Sequence, residues 1–219
     1  MCGHCLAICP MDAVELEGYG REDVTEYISG QEVLDPEELL QVIRSRRSVR
    51  RFQDRPVERE KLERMIEAGR HSPTGGNAQR VSYIVMQDDM ARCTDVLWEG
   101  VHAMAKKGGM ESLIERYRVY RETGEDTLFY RAPAVIFLVA PGDWDAGLAA
   151  ANMEMMALAQ GLGVMHCGYA VSACRVDPAV GSYLGLEKGQ RVAVCMTVGY
   201  PAAAYQRTAP RKPASVSWK

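Results

Sequence analysis

Apolar positions along this chain alternate between a helical period and short continuous runs, so helices and strands can be read off in order. Asp35 stands where an N-cap is expected, Pro36 at the first helical position and Glu38 at the third. Leu39, Leu40 and Ile43 then form a short apolar face. After Pro56, Leu62, Met65, Ile66 and Gly69 recur at i, i+3, i+4 and i+7, which predicts a second helix. It stops at Ser72-Pro73-Thr74-Gly75-Gly76-Asn77, a cluster of breakers. Val81–Met86 reads as a strand, and residues 89–107 and 110–122 as helices, the second heavily charged. Ala134–Ala140 is a continuous apolar run between Pro133 and Pro141, the pattern of a buried strand. Asp145–Gln160 is rich in Ala and Met and apolar nearly all round, as a buried or interface helix is. Gly161–Cys167 leads into another strand, Pro178 opens a short helix ending before Gly185, and Val192–Val198 is the last strand. The tail from Pro201 is Ala/Pro-rich and is expected to run extended across a neighbour.

Composition narrows the class. The chain has 219 residues, 47% hydrophobic and 25% charged, which suits one core-bearing domain with at most a small appendage. A net charge of −3 gives no reason to expect nucleic acid or an anionic membrane as partner. The longest apolar run, Ala132 to Pro141, is too short to span a bilayer. No basic segment followed by an apolar one opens the chain, so a cytoplasmic protein is expected. Seven cysteines then favour metal or redox use over a disulfide framework.

Residues 1–30 stand apart. Cys2, Cys5, Cys9 and Pro10 match the last three cysteines and the proline of the iron–sulfur run C-x2-C-x2-C-x3-C-P. The first cysteine would lie one residue before Met1. Residues 1–30 therefore read as the remnant of a ferredoxin-like module plus a linker, and 31–219 as the main domain. Cys2, Cys5 and Cys9 are expected to bind a cluster only in a longer form that restores the missing part. Zinc held by these three with His4 is a weaker alternative, since such tight spacing strains a tetrahedral site.

Four further segments carry candidate chemistry. Arg46, Arg47, Ser48 and Arg50 could clamp a phosphate, although a solvated basic helix end has the same composition. Pro73, Thr74, Gly75 and Asn77 lie in a glycine-rich turn that could approach a planar ligand or simply cap a helix. Gly161 to Tyr169 lacks the dinucleotide glycine spacing and follows a helix, so it reads as a turn into a strand. Within it, Cys167 has no evident helix N-terminus or acidic partner, and a buried thiol beside a structural His166 is expected. Arg211 and Lys212, between two prolines, could complete a phosphate site or solubilise the tail.

Taken together, in this order and at this spacing, these segments over residues 36–219 resemble the FMN-dependent nitroreductase family, and the cysteine stub resembles members that carry a bacterial-type ferredoxin module in front. The resemblance implies an α+β fold, with a central, mainly antiparallel sheet flanked by helices, in a domain-intertwined homodimer. It implies that Arg46, Arg47, Ser48 and Arg50 hold the FMN phosphate and the pyrimidine side of the ring, with Arg211 and Lys212 reaching in from the tail. Pro73, Thr74, Gly75 and Asn77 would line the ring from the partner subunit. Cys167, Gly168 and Tyr169 would belong to the strand whose backbone N–H faces flavin N5, and Arg50 would stabilise the reduced ring. The chemistry is then centred on the flavin, with no catalytic side chain. The expected cycle is ping-pong: NAD(P)H or ferredoxin reduces the flavin, which reduces an electron-poor nitroaromatic or quinone. A flavin sensor or storage protein, or a flavin-fragmenting or dehalogenating relative, is the alternative. Many members have Pro-Trp after the second motif, whereas Arg80-Val81 follows Gln79 here. Residues 89–125 are the expected lid.

Overall fold

The structure, a computed structural model, describes residues 3–20, 23–27, 29 and 33–219. Cys2 lies outside the described residues. The segment before residue 33 contributes one helical turn, α1 (His4–Ile8). Cys5 is exposed, and Cys9 Sγ accepts a hydrogen bond from the Ala13 N–H at 3.3 Å. Among the described residues, no group of three or more His, Cys, Asp or Glu is arranged to hold a metal ion. Nor is any described helix long and apolar enough to cross a membrane.

The capping signal at Asp35 is realised. Its Oδ1 accepts from the N–H groups of Glu37 and Glu38 at 2.9 and 3.0 Å, which starts α2 (Pro36–Ser45). No residue of α2 is buried, and Leu39, Val42 and Ile43 are exposed. An extended segment, residues 46–53, leads to α3 (Arg59–Arg70). The elements that follow are β1 (Ser82–Met86), α4 (Met90–Gly108), α5 (Glu111–Thr123), β2 (Ala134–Val139), α6 (Asp143–Ala159) and β3 (Gly163–His166). The chain closes with α7 (Gly168–Val176), α8 (Pro178–Tyr183) and β4 (Val192–Gly199).

The four strands form one antiparallel sheet in the order β1-β2-β4-β3. Strand alternation divides the core in two. Val135, Phe137 and Val139 pack with α4, α7 and α8 on one face, whereas Ala134, Ile136 and Leu138 pack with α3 and α6 on the other. A register shift at Leu138/Val139 opposite β4 lets both Ala193 and Val194 pack on the second face.

Two expectations change. The expected lid over residues 89–125 divides: α4 buries Leu97, Trp98, Val101 and Ala105 completely in the first core layer, whereas α5 buries only Leu113. Gly168 and Tyr169 do not continue a strand. They open α7, which meets the core through Ala170 and Ala173. That i, i+3 spacing of small residues was too short a signal to outweigh the β-forming Tyr169, Val171 and Val176 around it.

Candidate functional site

The extended segment after α2 is held on the open edge of the sheet. Ser48 bridges Val164 in parallel, and the Val49 N–H donates to the Val164 carbonyl at 2.9 Å. Further on, the Gln53 N–H donates to the Tyr200 carbonyl and the Ala202 N–H to the Arg51 carbonyl, both at 2.8 Å. Two glycines allow this approach: a Cβ on Gly163 would lie 2.4 Å from Val49 Cγ2, and one on Gly199 would lie 2.8 Å from Phe52 Cδ1. The alternating strand then sends its arginines to different places. Arg46 Nε lies 3.4 Å from Glu154 Oε2, a buried carboxylate on α6 that His166 Nε2 also approaches at 3.4 Å. The Arg47 guanidinium stacks over Tyr205 of the tail, 4.8 Å from the ring centroid.

Arg50 reaches the first face of the sheet and borders two cavities. One, of about 490 Å³, is lined by Arg50, Arg116, Tyr130, His166, Cys167 and the start of α7 at Gly168 and Tyr169, among others. The other, of about 560 Å³, shares Arg50 and Tyr130 and adds Arg51, Asp126 and Arg131. Their shared wall is the loop before β2, which Asp126 shapes. Its Oδ1 accepts from Trp98 Nε1 (3.2 Å), Leu128 N–H (2.9 Å) and Phe129 N–H (3.0 Å), and its Oδ2 from Arg131 N–H (2.9 Å). These bonds hold Tyr130 and Arg131 in the left-handed region, with φ of 56° and 54°. Arg116 comes from α5. Its Nε donates to Thr127 Oγ1 at 3.0 Å, and its guanidinium lies over the Tyr169 ring. The residues lining the 490 Å³ cavity include two arginines and no carboxylate, so an anionic group is favoured there.

Cys167 is the buried thiol the sequence suggests, but a helix N-terminus does adjoin it. It is the N-cap of α7, and its thiol is lowered by the Cys195 S–H it accepts and by the Ala170 backbone N–H, against the opposing effect of burial. Its own N–H is engaged with the Cys195 carbonyl at 2.8 Å. The backbone donors left to face a ligand from this segment are therefore those of Gly168 and Tyr169, in the first turn of a helix.

The remaining candidates sit elsewhere. Pro73, Thr74, Gly75 and Asn77 follow α3 on the second face of the sheet and line neither cavity. Thr74 Oγ1 accepts from the Gln79 N–H at 3.0 Å, and Gln79 Nε2 donates to Tyr19 of the N-terminal segment at 2.9 Å. Arg211 and Lys212 are exposed on the extended tail, apart from the cavity walls. Conversely, Arg116, Asp126 and Tyr130 were missed. No motif marks them, and they meet Arg50 only because α5 and the following loop fold back over the sheet.

Comparison with known proteins adds to this geometry. Residues 43–200 match the nitroreductase family. A nitroreductase with bound FMN from Bacteroides fragilis aligns with a TM-score of 0.71 at 22% identity, covering 83% of this chain and 98% of its own. A second nitroreductase with bound FMN, from Desulfitobacterium hafniense, aligns at 0.66 and 25%, covering 82% and 98%. A protein from Bacteroides thetaiotaomicron described as an NADH dehydrogenase/NAD(P)H nitroreductase aligns at 0.61 and 20%, covering 83% and 96%. No curated protein matches the chain in sequence.

Proposed function

Because this chain belongs to the nitroreductase family of oxidoreductases, we propose that it binds FMN and reduces an electron-poor nitroaromatic or quinone in a ping-pong cycle. The observation that carries this reading is the convergence of Arg50 with the first turn of α7 on one cavity of about 490 Å³, a size typical of small-molecule sites. The residues present fit the group. Arg50 lines the cavity, and Arg46, Arg47 and Ser48, which line neither cavity here, precede it on the same extended strand, where they would offer guanidiniums and a hydroxyl to a phosphate. Gly168 and Tyr169 offer backbone N–H donors, and Tyr130 and Tyr169 offer aromatic walls.

FMN, when bound, supplies the hydride chemistry. Arg50 and Arg116, which line the cavity, would contribute positive charge towards a reduced ring bound there. The buried Glu154 holds Arg46 and His166 at the sheet edge and keeps them oriented. No general base is required of the protein.

The partner assembly follows from exposed apolar surface. Among the described residues, Leu39, Val42 and Ile43 of α2 and the 79%-exposed Trp144 of α6 remain exposed, which supports a homodimer. In that dimer Pro73, Thr74, Gly75 and Asn77 of one subunit would complete the site of the other, and Arg211 and Lys212 would close on the phosphate. NAD(P)H or a ferredoxin would be the donor.

The test is the colour and reactivity of the purified protein. It should carry or take up FMN, and NADH, NADPH or reduced ferredoxin should bleach it in stopped flow. A protein that cannot be reconstituted with FMN would end the proposal, and a bound flavin that none of the three reduces would favour sensing or storage.

A further inference from the structure

We propose that Cys167 and Cys195 are a redox dithiol, in which a peroxide entering the cavity oxidises Cys167 and Cys195 resolves it to an intramolecular disulfide. The antiparallel register that pairs His166 with Met196 places Cys167 opposite Cys195 one step further on, and the 2.8 Å N–H to carbonyl bond between them holds that pairing. Directly opposed residues of a hydrogen-bonded pair have Cα atoms about 5.5 Å apart. Disulfides span roughly 4.4–6.8 Å between Cα atoms, so no strand has to move. Both side chains lie in the same core layer, where the Cys167 thiol donates to the Leu128 carbonyl at 3.6 Å.

The two thiols face different surroundings. Cys167 lines the cavity, while Cys195 lies behind it at 1% exposure. Burial pushes the Cys195 thiol well up, whereas Cys167 is lowered by the Cys195 S–H and the Ala170 N–H. Of the two, the thiol that lines the cavity is therefore the readier to ionise. Cys93 and Cys174 lie in or against the same layer, but burial pushes both to about 12 and neither lines the cavity. They are expected to remain thiols.

The chemistry balances with hydrogen peroxide as oxidant. The Cys167 thiolate attacks one peroxide oxygen, the O–O bond breaks, and Cys167 becomes a sulfenic acid as hydroxide leaves. Hydroxide takes the Cys195 proton, the Cys195 sulfur attacks the Cys167 sulfur, and the sulfenic oxygen leaves as hydroxide and is protonated to water. Overall, two thiols and one peroxide give one disulfide and two waters. None of these steps takes electrons from flavin, although the thiol lines the cavity in which FMN is proposed to bind.

The full-length protein is treated with stoichiometric hydrogen peroxide, quenched and unfolded. Free thiols are alkylated, and peptides are mapped by mass spectrometry. The expected result is a cross-linked peptide joining Cys167 to Cys195, lost on treatment with dithiothreitol, with Cys93 and Cys174 fully alkylated. The Cys195→Ala variant should instead accumulate a Cys167 sulfenic acid that a cyclic dione traps. The Cys167→Ser variant should leave Cys195 reduced. Recovery of both thiols from the native protein, or a bond from Cys167 to Cys93 or Cys174, would overturn the proposal whatever the variants do.

Discussion

Replacing Gly163 by alanine tests whether sheet-edge packing positions the arginine segment. The added Cβ would lie 2.4 Å from Val49 Cγ2, 2.9 Å from Val49 Cβ and 3.1 Å from Pro201 Cγ. Carbon atoms normally approach to about 3.5–4.0 Å, so Val49 has to retreat by about 1 Å. A rotamer change cannot achieve this, because the Val49 Cβ is itself too close. The backbone of residues 48–50 must move, and with it the 2.9 Å bond from Val49 N–H to the Val164 carbonyl. Overpacking and a weakened hydrogen bond together cost roughly 2–4 kcal/mol. At about 2–4 °C per kcal/mol for a chain of this size, the melting temperature should fall by roughly 4–16 °C. Calorimetry or circular dichroism reads this directly. A second variant isolates the cause. Val49→Ala removes the 2.4 Å contact and alone costs about 1.6 kcal/mol for two methyl groups. Combined with Gly163→Ala, the loss should fall short of the sum by at least about 1 kcal/mol. A Gly163→Ala protein melting within about 1 °C of the parent, or strictly additive losses, would refute the steric account.

Three further outcomes follow from particular contacts. Asp126→Ala strips four N–H donors of their acceptor and should cost about 3–5 kcal/mol in urea unfolding, with a changed Trp98 emission; a loss below about 1 kcal/mol would mean the loop is held otherwise. Glu58 is held down to about 2 by the Tyr200 hydroxyl first, then by its own backbone N–H and Arg55. Its contribution to stability is therefore present above about 4.5 and is lost as pH falls towards 2. Tyr200→Phe should raise the Glu58 carboxyl titration towards 4.5 in a carbon-13 NMR experiment, and an unmoved midpoint would contradict this. Arg50→Ala should weaken FMN binding and lower the bound flavin's potential; unchanged occupancy and potential would place Arg50 outside the site.

Much of the fold was legible because its signals are local. A carboxylate before a proline predicts a helix start, and Asp35 caps one. An apolar run between prolines predicts a buried strand, and every residue of β2 is buried. The short helix α7 was not legible, because only Ala170 and Ala173 are fully buried and the residues around them favour strands. The candidate site divided in the same way. Arg50 and Gly168 could be picked from their motifs, but the use of the Cys167 N–H in the sheet could not, since its acceptor is 28 positions away at Cys195.

The sequence by itself determined where helices and strands begin, which segments carry cations and glycines, and the family the chain resembles. Each of these depends on neighbours a few residues apart, and capping, periodicity and turn chemistry act over that range. Only the tertiary structure decided that Arg50 shares a cavity with Arg116 and Tyr130, that Glu154 restrains Arg46, and that Cys167 meets Cys195. Those meetings depend on strand register and on which face each strand turns to the helices. A shift of one residue in register would face every side chain the other way, so no local pattern could have specified them.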